Sequence, residues 1–201
     1  MRKAAISFLR PACSVFLCLF CILCLFCLLL WAATATVVPT GDNTTGSWIT
    51  TPLWQSVDDD IDSPDAAVIT SGNNPTTPTN DVIFNVTCPS DVGTITEANL
   101  RIRARELGNS SRTIRFAVSW SATTATDFNT GNLTSSQANY ASGNKTGLSI
   151  SKSTCDSSTL KVAPTTAGSG PAEKAEIDSF NLDITYTAAN QPPRRRTIIL
   201  N

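Results

Sequence analysis

The sequence contains no histidine, and its 15 basic and 16 acidic residues leave a net charge of −1. Without histidine, the chain lacks the most common general base and zinc ligand, and it cannot form Ser-His or Cys-His catalytic pairs. A net charge near zero does not provide the basic surface that nucleic-acid binding needs. These absences exclude the most familiar enzyme designs and argue against nucleic acid as a partner. We therefore predict that the chain is not an enzyme.

Charge is also missing from a long apolar run that extends from about Ala12 to Ala33. Basic residues precede it, an arrangement that keeps the positive end in the cytoplasm and sends the rest across the membrane. A helix of roughly 20 apolar residues can span a bilayer and remain as an anchor, with the membrane as its partner. Ala33-Thr34-Ala35 fits instead a signal-peptide cleavage site after Ala35. Under both interpretations residues 1–35 direct export, and the chain is secreted or lies on the extracellular face of the membrane.

Five of the seven cysteines lie in the apolar run, where cysteine behaves as a small hydrophobic residue. Only Cys88 and Cys155 follow it. In an oxidising compartment such a pair is most simply a disulfide bond, and two separate buried thiols are the alternative. The order Cys88, Trp120, Cys155 is similar to that of an immunoglobulin domain. However, Trp120 follows Cys88 at too great a distance to be the tryptophan of strand C, and Ser153 stands where the tyrosine corner would need a tyrosine. We therefore predict a disulfide bond in a different sandwich topology.

Two stretches alternate strictly between apolar and polar residues, which is the pattern of strands with one buried and one solvent-facing side. They are Ala98–Leu107 and Thr113–Trp120, and the turn composition of residues 108–111 between them predicts an antiparallel hairpin. Lys174–Thr187 predicts a further long strand, whose change of parity indicates a bulge near Ser179. The expected fold class is an all-β, antiparallel, jelly-roll-like β-sandwich preceded by one N-terminal hydrophobic helix.

Four arginines fall on the outer face of the predicted hairpin. Spaced arginines on a sheet can bind carboxylates, sulfates or phosphates, so this row is a candidate ligand-binding surface. The alternative is cross-strand pairing with acids such as Glu176 or Asp183 on the last strand, and this is the interpretation that we favour. The four residues are Arg101, Arg103, Arg105 and Arg115.

Asp58, Asp60 and Asp62 have the alternating spacing of a calcium-binding loop. An EF-hand would need glycine after Asp62 and glutamate at the twelfth position, but Ser63 and Ile69 stand there. The EF-hand is therefore excluded. A looser calcium site on a sandwich loop and a solvated acidic turn both remain open.

Composition divides the rest of the chain into three parts. Residues 36–47 are rich in Thr, Gly, Asn and Pro and predict a linker, and residues 48–188 form the predicted sandwich domain. Residues 189–201 combine two prolines, three arginines and an apolar end, and they predict a frayed tail or an added edge strand.

Several short motifs follow one another in the predicted domain: Trp48, a hydrophobic-Asp-Asp triplet, Ser63-Pro64-Asp65 with Ile69, and a strand ending in Arg-x-Arg-Ala-Arg. In this order they resemble extracellular jelly-roll-type β-sandwich modules of bacterial surface proteins and of phage or environmental virion proteins. The resemblance covers about residues 48–188. It implies a fold and an exterior location, and it carries no assigned chemistry.

Three functional hypotheses follow from these observations. The preferred one is a non-catalytic structural or adhesive module that acts through its surface on a glycan or protein partner. The second is a carbohydrate-binding module, without a cofactor or assisted by calcium, that uses exposed aromatic rings as a stacking platform. The third is a hydrolase with a carboxyl pair such as Asp60 with Glu97 or Glu106, which no spacing supports. The candidate platform residues are Trp48, Trp54 and Tyr140.

Overall fold

The computed structural model of the chain describes residues 32–49, 52–108, 113–123, 128–167 and 173–189. The predicted N-terminal hydrophobic helix, with the export segment up to residue 31, lies outside these residues. The basic tail lies outside them from residue 190 onward. Across the described ranges, no helix has the length and apolar character needed to cross a membrane.

The described residues form eleven strands, one short α-helix and one turn of 3-10 helix. The strands lie in two antiparallel sheets, so the predicted all-β class is confirmed. The elements are β1 (Ala32–Val37), β2 (Pro39–Thr44), the 3-10 turn (Trp54–Ser56), β3 (Ile69–Thr70), β4 (Val82–Val86), β5 (Val92–Leu107), β6 (Thr113–Trp120), β7 (Phe128–Asn129), β8 (Ala138–Ala141), β9 (Ile150–Ser151), α1 (Lys152–Asp156), β10 (Thr159–Ala167) and β11 (Lys174–Ala188).

Sheet A has the strand order β1-β11-β5-β8, with β3 also paired to β11 and β9 to β5, and sheet B has the order β2-β4-β10-β6-β7. The alternating apolar side chains of both sheets meet in one buried cluster, which is the hydrophobic core. Burial of this apolar surface is the main source of stability for such a fold. Among the largest fully buried side chains are Trp120, Phe84, Phe116, Phe180, Ile102 and Leu160.

Strands β5 and β11 pair along almost their whole lengths, from Leu107 opposite Lys174 to Val92 opposite Ala188. The alternation predicted for β5 is confirmed from Ala98 to Arg105, where the apolar residues are buried and the arginines face outward. The register of β11 shifts between Ile177 and Ser179, so Asp178 is the extra residue of a β-bulge. The parity change in the sequence predicted this bulge correctly.

The predicted hairpin between β5 and β6 is wrong. β5 lies in sheet A, whereas β6 lies in sheet B between β10 and β7. Both strands bury one face, but they bury it from opposite sides of the same core, and alternation alone does not distinguish these arrangements. Arg115 is therefore on the outer face of sheet B, away from the arginines of β5. Residues 109–112 of the predicted turn lie outside the described residues.

The predicted linker, residues 36–47, is also largely wrong. Most of it belongs to β1 and β2, which pair with β11 and β4 respectively. These strands satisfy backbone groups by pairing and bury few side chains, among them Val37 and Pro39, so their composition resembles that of a loop. The sandwich thus begins before the predicted boundary at Trp48, and a cleavage after Ala35 would fall inside β1.

The predicted disulfide bond joins Cys88, after β4, to Cys155 in α1, with their Cα atoms 6.1 Å apart. The helix begins after Ser151, whose hydroxyl accepts a hydrogen bond from the backbone N–H of Thr154. A second link is the backbone N–H of Cys88, which donates to a carboxylate oxygen of Asp156 at 2.9 Å. The disulfide bond and the hydrogen bond from Cys88 to Asp156 together fasten α1 to the end of β4.

We predict that the double variant Cys88→Ala/Cys155→Ala unfolds more easily than the wild type, by about 4 kcal/mol in the chain-entropy model. The bond closes a loop with a sequence separation of 67 residues, so its loss gives the unfolded chain much additional freedom. Urea unfolding measures the difference, and wild-type protein in a reducing agent is the control that should match the variant. Equal unfolding midpoints for oxidised wild type and variant would contradict this prediction.

Candidate functional site

Ion pairs follow the outer face of sheet A, where each of three arginines of β5 meets an acid of β11. The nitrogen-to-oxygen distances are 2.6 Å for the first pair and 2.7 Å for the second, and the third pair is also in direct contact. The predicted cross-strand pairing with acids, including Glu176 and Asp183, is therefore confirmed. We call this set the Arg–acid ladder: Arg101–Asp183, Arg103–Asp178 and Arg105–Glu176.

In two of the three ladder pairs the acid is more deeply buried than its arginine, whereas Asp183 is somewhat more exposed than Arg101. The side chains of Asp178 and Glu176 are 6% and 10% exposed, against 30% for Arg103 and 37% for Arg105. A buried carboxylate is costly unless it is paired, so these arginines are needed to neutralise the acids beneath them. The ladder is therefore a structural element of the sheet, and its guanidinium groups are not free to bind an anionic ligand.

We predict that Arg103→Met lowers the free energy of unfolding by about 2 kcal/mol or more, because it leaves the buried charge of Asp178 unpaired. The matched control is Arg115→Met on sheet B, where the exposed guanidinium donates to the side-chain oxygen of Asn132 at 2.7 Å and meets no acid among the described residues. We expect the control to change stability by less than about 0.5 kcal/mol. Chemical denaturation of both variants measures the difference, and equal losses would refute the structural role of the ladder.

Residues 58–62, the aspartate loop, are held against β11 by the side chain of Asn181. The backbone N–H of Ile61 donates to the Asn181 side-chain oxygen at 2.6 Å, and the Asn181 amide nitrogen donates to the backbone oxygen of Asp59 at 2.8 Å. Both Asn181 and Ile61 are almost completely buried. The side-chain amide of Asn181 thus forms two hydrogen bonds to the aspartate loop and fixes it on the sheet.

The aspartate loop does not support the predicted calcium site. Asp62 forms an ion pair with Arg101 at 3.0 Å, and Asp60 accepts a hydrogen bond from the backbone N–H of Asp62. In the part of the chain that the structure describes, no three His, Cys, Asp or Glu side chains are grouped to hold a metal ion. Arg101 already neutralises the Asp62 carboxylate, one of the three that were predicted to hold calcium.

The aromatic residues predicted as a stacking platform are not equivalent in the structure. Trp48 is only 6% exposed, and its indole N–H donates to the backbone oxygen of Asn80 at 2.7 Å. Its assignment as an exposed platform is therefore wrong. Trp54 and Tyr140 are partly buried against the core, and the Tyr140 hydroxyl accepts a hydrogen bond from the backbone N–H of Thr134.

A buried carboxyl pair lies at the end of β5, where Glu106 interacts with Glu173 and not with Asp60. Burial raises the pKa of Glu106, and the neighbouring Glu173 raises it further. The hydrogen bond from the backbone N–H of Ile114, at 2.9 Å, acts in the opposite direction and lowers the pKa. Among the described residues, no side chain or backbone N–H donates to either carboxyl oxygen of Glu173, and both oxygens are shielded from solvent. The alternation of β5 already places Glu106 on the buried face, and this was the signal that sequence reasoning overlooked.

We predict that Glu106→Gln stabilises the protein at neutral pH by about 1 kcal/mol, since the new amide can donate to Glu173. The pKa of Glu106 is raised above its usual value of 4.5, so its stabilising contribution is complete below that pH and is lost as the pH rises through the folded-state pKa. The variant should therefore flatten the pH dependence of stability above pH 4.5. Thermal unfolding from pH 4 to pH 8 tests this, with Glu97→Gln on the same strand as the control. A variant less stable than the wild type at pH 8 would contradict it.

An open groove of about 500 Å³ lies on the outer face of sheet A, beside Arg101 at the end of the ladder. Its floor consists of two cross-strand pairs, Asn99 opposite Asp183 and Glu97 opposite Thr185. The outer strand β1 forms one wall, and the segment that follows β8 forms the other. The wall residues are Thr34, Ala35, Thr36 and Asn144.

Comparison with known proteins supplies no functional assignment. No protein-family model matches the chain, and no curated protein is significantly similar to it. The resemblance to jelly-roll surface modules therefore stays a prediction, and the functional argument depends on the geometry described above.

Proposed function

We propose that the chain is a secreted or membrane-tethered, non-catalytic β-sandwich that acts outside the cell as a structural or adhesive module. We also propose a jelly-roll-like arrangement of its strands. The support for that arrangement is that the chain passes from one sheet to the other between β4 and β5, between β5 and β6, and between β10 and β11, while β6 and β10 pair within sheet B.

The observation that carries the proposal is the Cys88–Cys155 disulfide bond. Such bonds form and persist in oxidising compartments and are rare in the cytosol. The apolar run before residue 34 supplies a route of export, and the bond joins the two cysteines that follow it. Together they favour a domain that matures on the far side of a membrane.

The contacts of the carboxyl groups support a non-catalytic role. The side chains of Glu106 and Glu173 are both buried, which leaves little of this pair accessible to a substrate. In the groove, the Asp183 carboxylate accepts from Thr36 at 2.9 Å and is ion-paired with Arg101 at 2.6 Å. Both contacts engage the Asp183 carboxylate with groups of the protein itself.

The carbohydrate-binding alternative loses part of its original support. Trp48 is buried, and the aspartate loop is held by Asn181 and Arg101, so neither an exposed Trp48 ring nor a calcium site at that loop favours it. What favours it now is the polar groove of sheet A. Its residues come from four separate segments of the chain, so it is a feature of the fold and not of any motif.

We test the proposal by expressing the full chain and treating intact cells with a membrane-impermeant amine reagent. We expect the protein to be labelled from outside, and we expect Cys88 and Cys155 to resist alkylation until a reductant is added. Mass spectrometry of the mature N-terminus distinguishes a cleaved signal from an anchor. Retention of the purified chain on cell surfaces, or its assembly on a sizing column, tests the adhesive or structural role.

Two outcomes would contradict the proposal. One is a cytosolic pool in which both Cys88 and Cys155 react with the alkylating reagent without prior reduction. The other is a purified protein that remains an inert monomer on the column and is retained by no cell surface.

A further inference from the structure

We infer that the groove on the outer face of sheet A binds a neutral, hydroxyl-rich ligand, a short oligosaccharide. This inference rests on the proposed function, because it identifies the surface through which an adhesive module would act. The groove is formed by Glu97, Asn99 and Arg101 of β5, Asp183 and Thr185 of β11, and the wall residues of β1 and of the segment after β8. A volume of about 500 Å³ lies within the range of small-ligand sites.

Part of the groove is fixed in place before any ligand arrives. The Asp183 carboxylate is held from one side by the Thr36 hydroxyl and from the other by Arg101, which also contacts Asp62. The Asn99 side-chain oxygen lies 3.2 Å from the hydroxyl of Ser142, which leaves the Asn99 amide nitrogen as a donor. Groups already held in position lose little conformational entropy when they bind, which favours affinity.

Other polar groups of the groove are unused. Within the described residues, the carboxylate of Glu97, the hydroxyls of Thr34 and Thr185 and the side-chain amide of Asn144 make no hydrogen bond or ion pair to the protein. All four line the groove, and their side chains are exposed or half-buried. The surface therefore offers both donors and acceptors, which is what a ring of sugar hydroxyls requires, since each hydroxyl donates one hydrogen bond and accepts others.

The charge of the groove selects against other ligand classes. Glu97 and Asp183 face one arginine whose charge is already met by Asp62 and Asp183, so an anionic ligand would be repelled. Within the described residues, no three acidic, Cys or His side chains are grouped to hold a metal ion. Among the described residues that line the groove none is aromatic, so a flat apolar ligand has no surface to stack on. A peptide strand would add to the edge of a sheet, whereas this groove crosses its face.

The groove also has the width needed for more than one contact. It crosses β1, β11, β5 and the segment after β8, which runs beside β5 in the same sheet. Three spacings between neighbouring strands amount to about 14 Å. An occupant lying across the strands can therefore contact Thr34, Thr185 and Asn144 at the same time.

The test uses the full chain in a detergent whose head group is not a sugar, applied to an array of neutral, sulfated and sialylated oligosaccharides. The neutral member bound most tightly is then measured by titration calorimetry. We expect Glu97→Gln and Thr185→Val each to raise its Kd about fivefold, the effect of one lost hydrogen bond, and the double variant to raise it more than tenfold. The matched control is Thr165→Val on the outer face of sheet B, which should change Kd less than twofold.

Binding of sulfated or sialylated members alone would overturn the inference, as would a double variant that binds like the wild type. Cleavage of the bound oligosaccharide would overturn it too, because the groove would then be catalytic. The cell-surface retention assay is run on the same proteins. If no oligosaccharide binds while the protein is still retained on cell surfaces, this inference fails and the proposed function stands. If the wild type neither binds an oligosaccharide nor is retained on cell surfaces, the inference and the proposed function are both rejected.

Discussion

The pairing of β5 with β11 is the constraint on which the rest of the structure depends. On its inner side it contributes Ile102, Leu182 and Phe180 to the core. On its outer side it aligns the arginines of one strand with the acids of the other, so that nearly buried carboxylates are neutralised where they lie. The same register places Asn99 beside Asp183 and creates the floor of the groove. Core, ladder and candidate site thus share one strand pair.

Features that depend on local alternation could be predicted from the sequence. The buried and exposed faces of β5 and β6 follow directly from their period of two, and the bulge at Asp178 follows from a break in that period. The disulfide bond could be predicted from the two cysteines outside the apolar run and from the expected export of the chain. Pairing of the arginines with Glu176 and Asp183 follows from the need to balance charges on one face.

Features that depend on distant parts of the chain could not be predicted in this way. Alternation shows that β5 and β6 each bury one face, but not that they bury it in different sheets. The short strands β1 and β2 carry few apolar residues, so their composition indicates a linker. Trp48 lies in a polar neighbourhood, and only tertiary packing reveals that it is buried. The groove combines residues as far apart in the sequence as Thr34 and Thr185, which no motif connects.

Cross-strand cysteine trapping tests the β5–β11 pairing most directly. The account predicts that Glu97→Cys with Thr185→Cys, which replaces two residues directly opposite each other, forms a new disulfide bond under mild oxidation. It also predicts that Arg105→Cys with Arg115→Cys, which a hairpin of β5 with β6 would bring side by side, does not. Peptide mass spectrometry identifies each bond. A link between positions 105 and 115, with none between 97 and 185, would contradict the account.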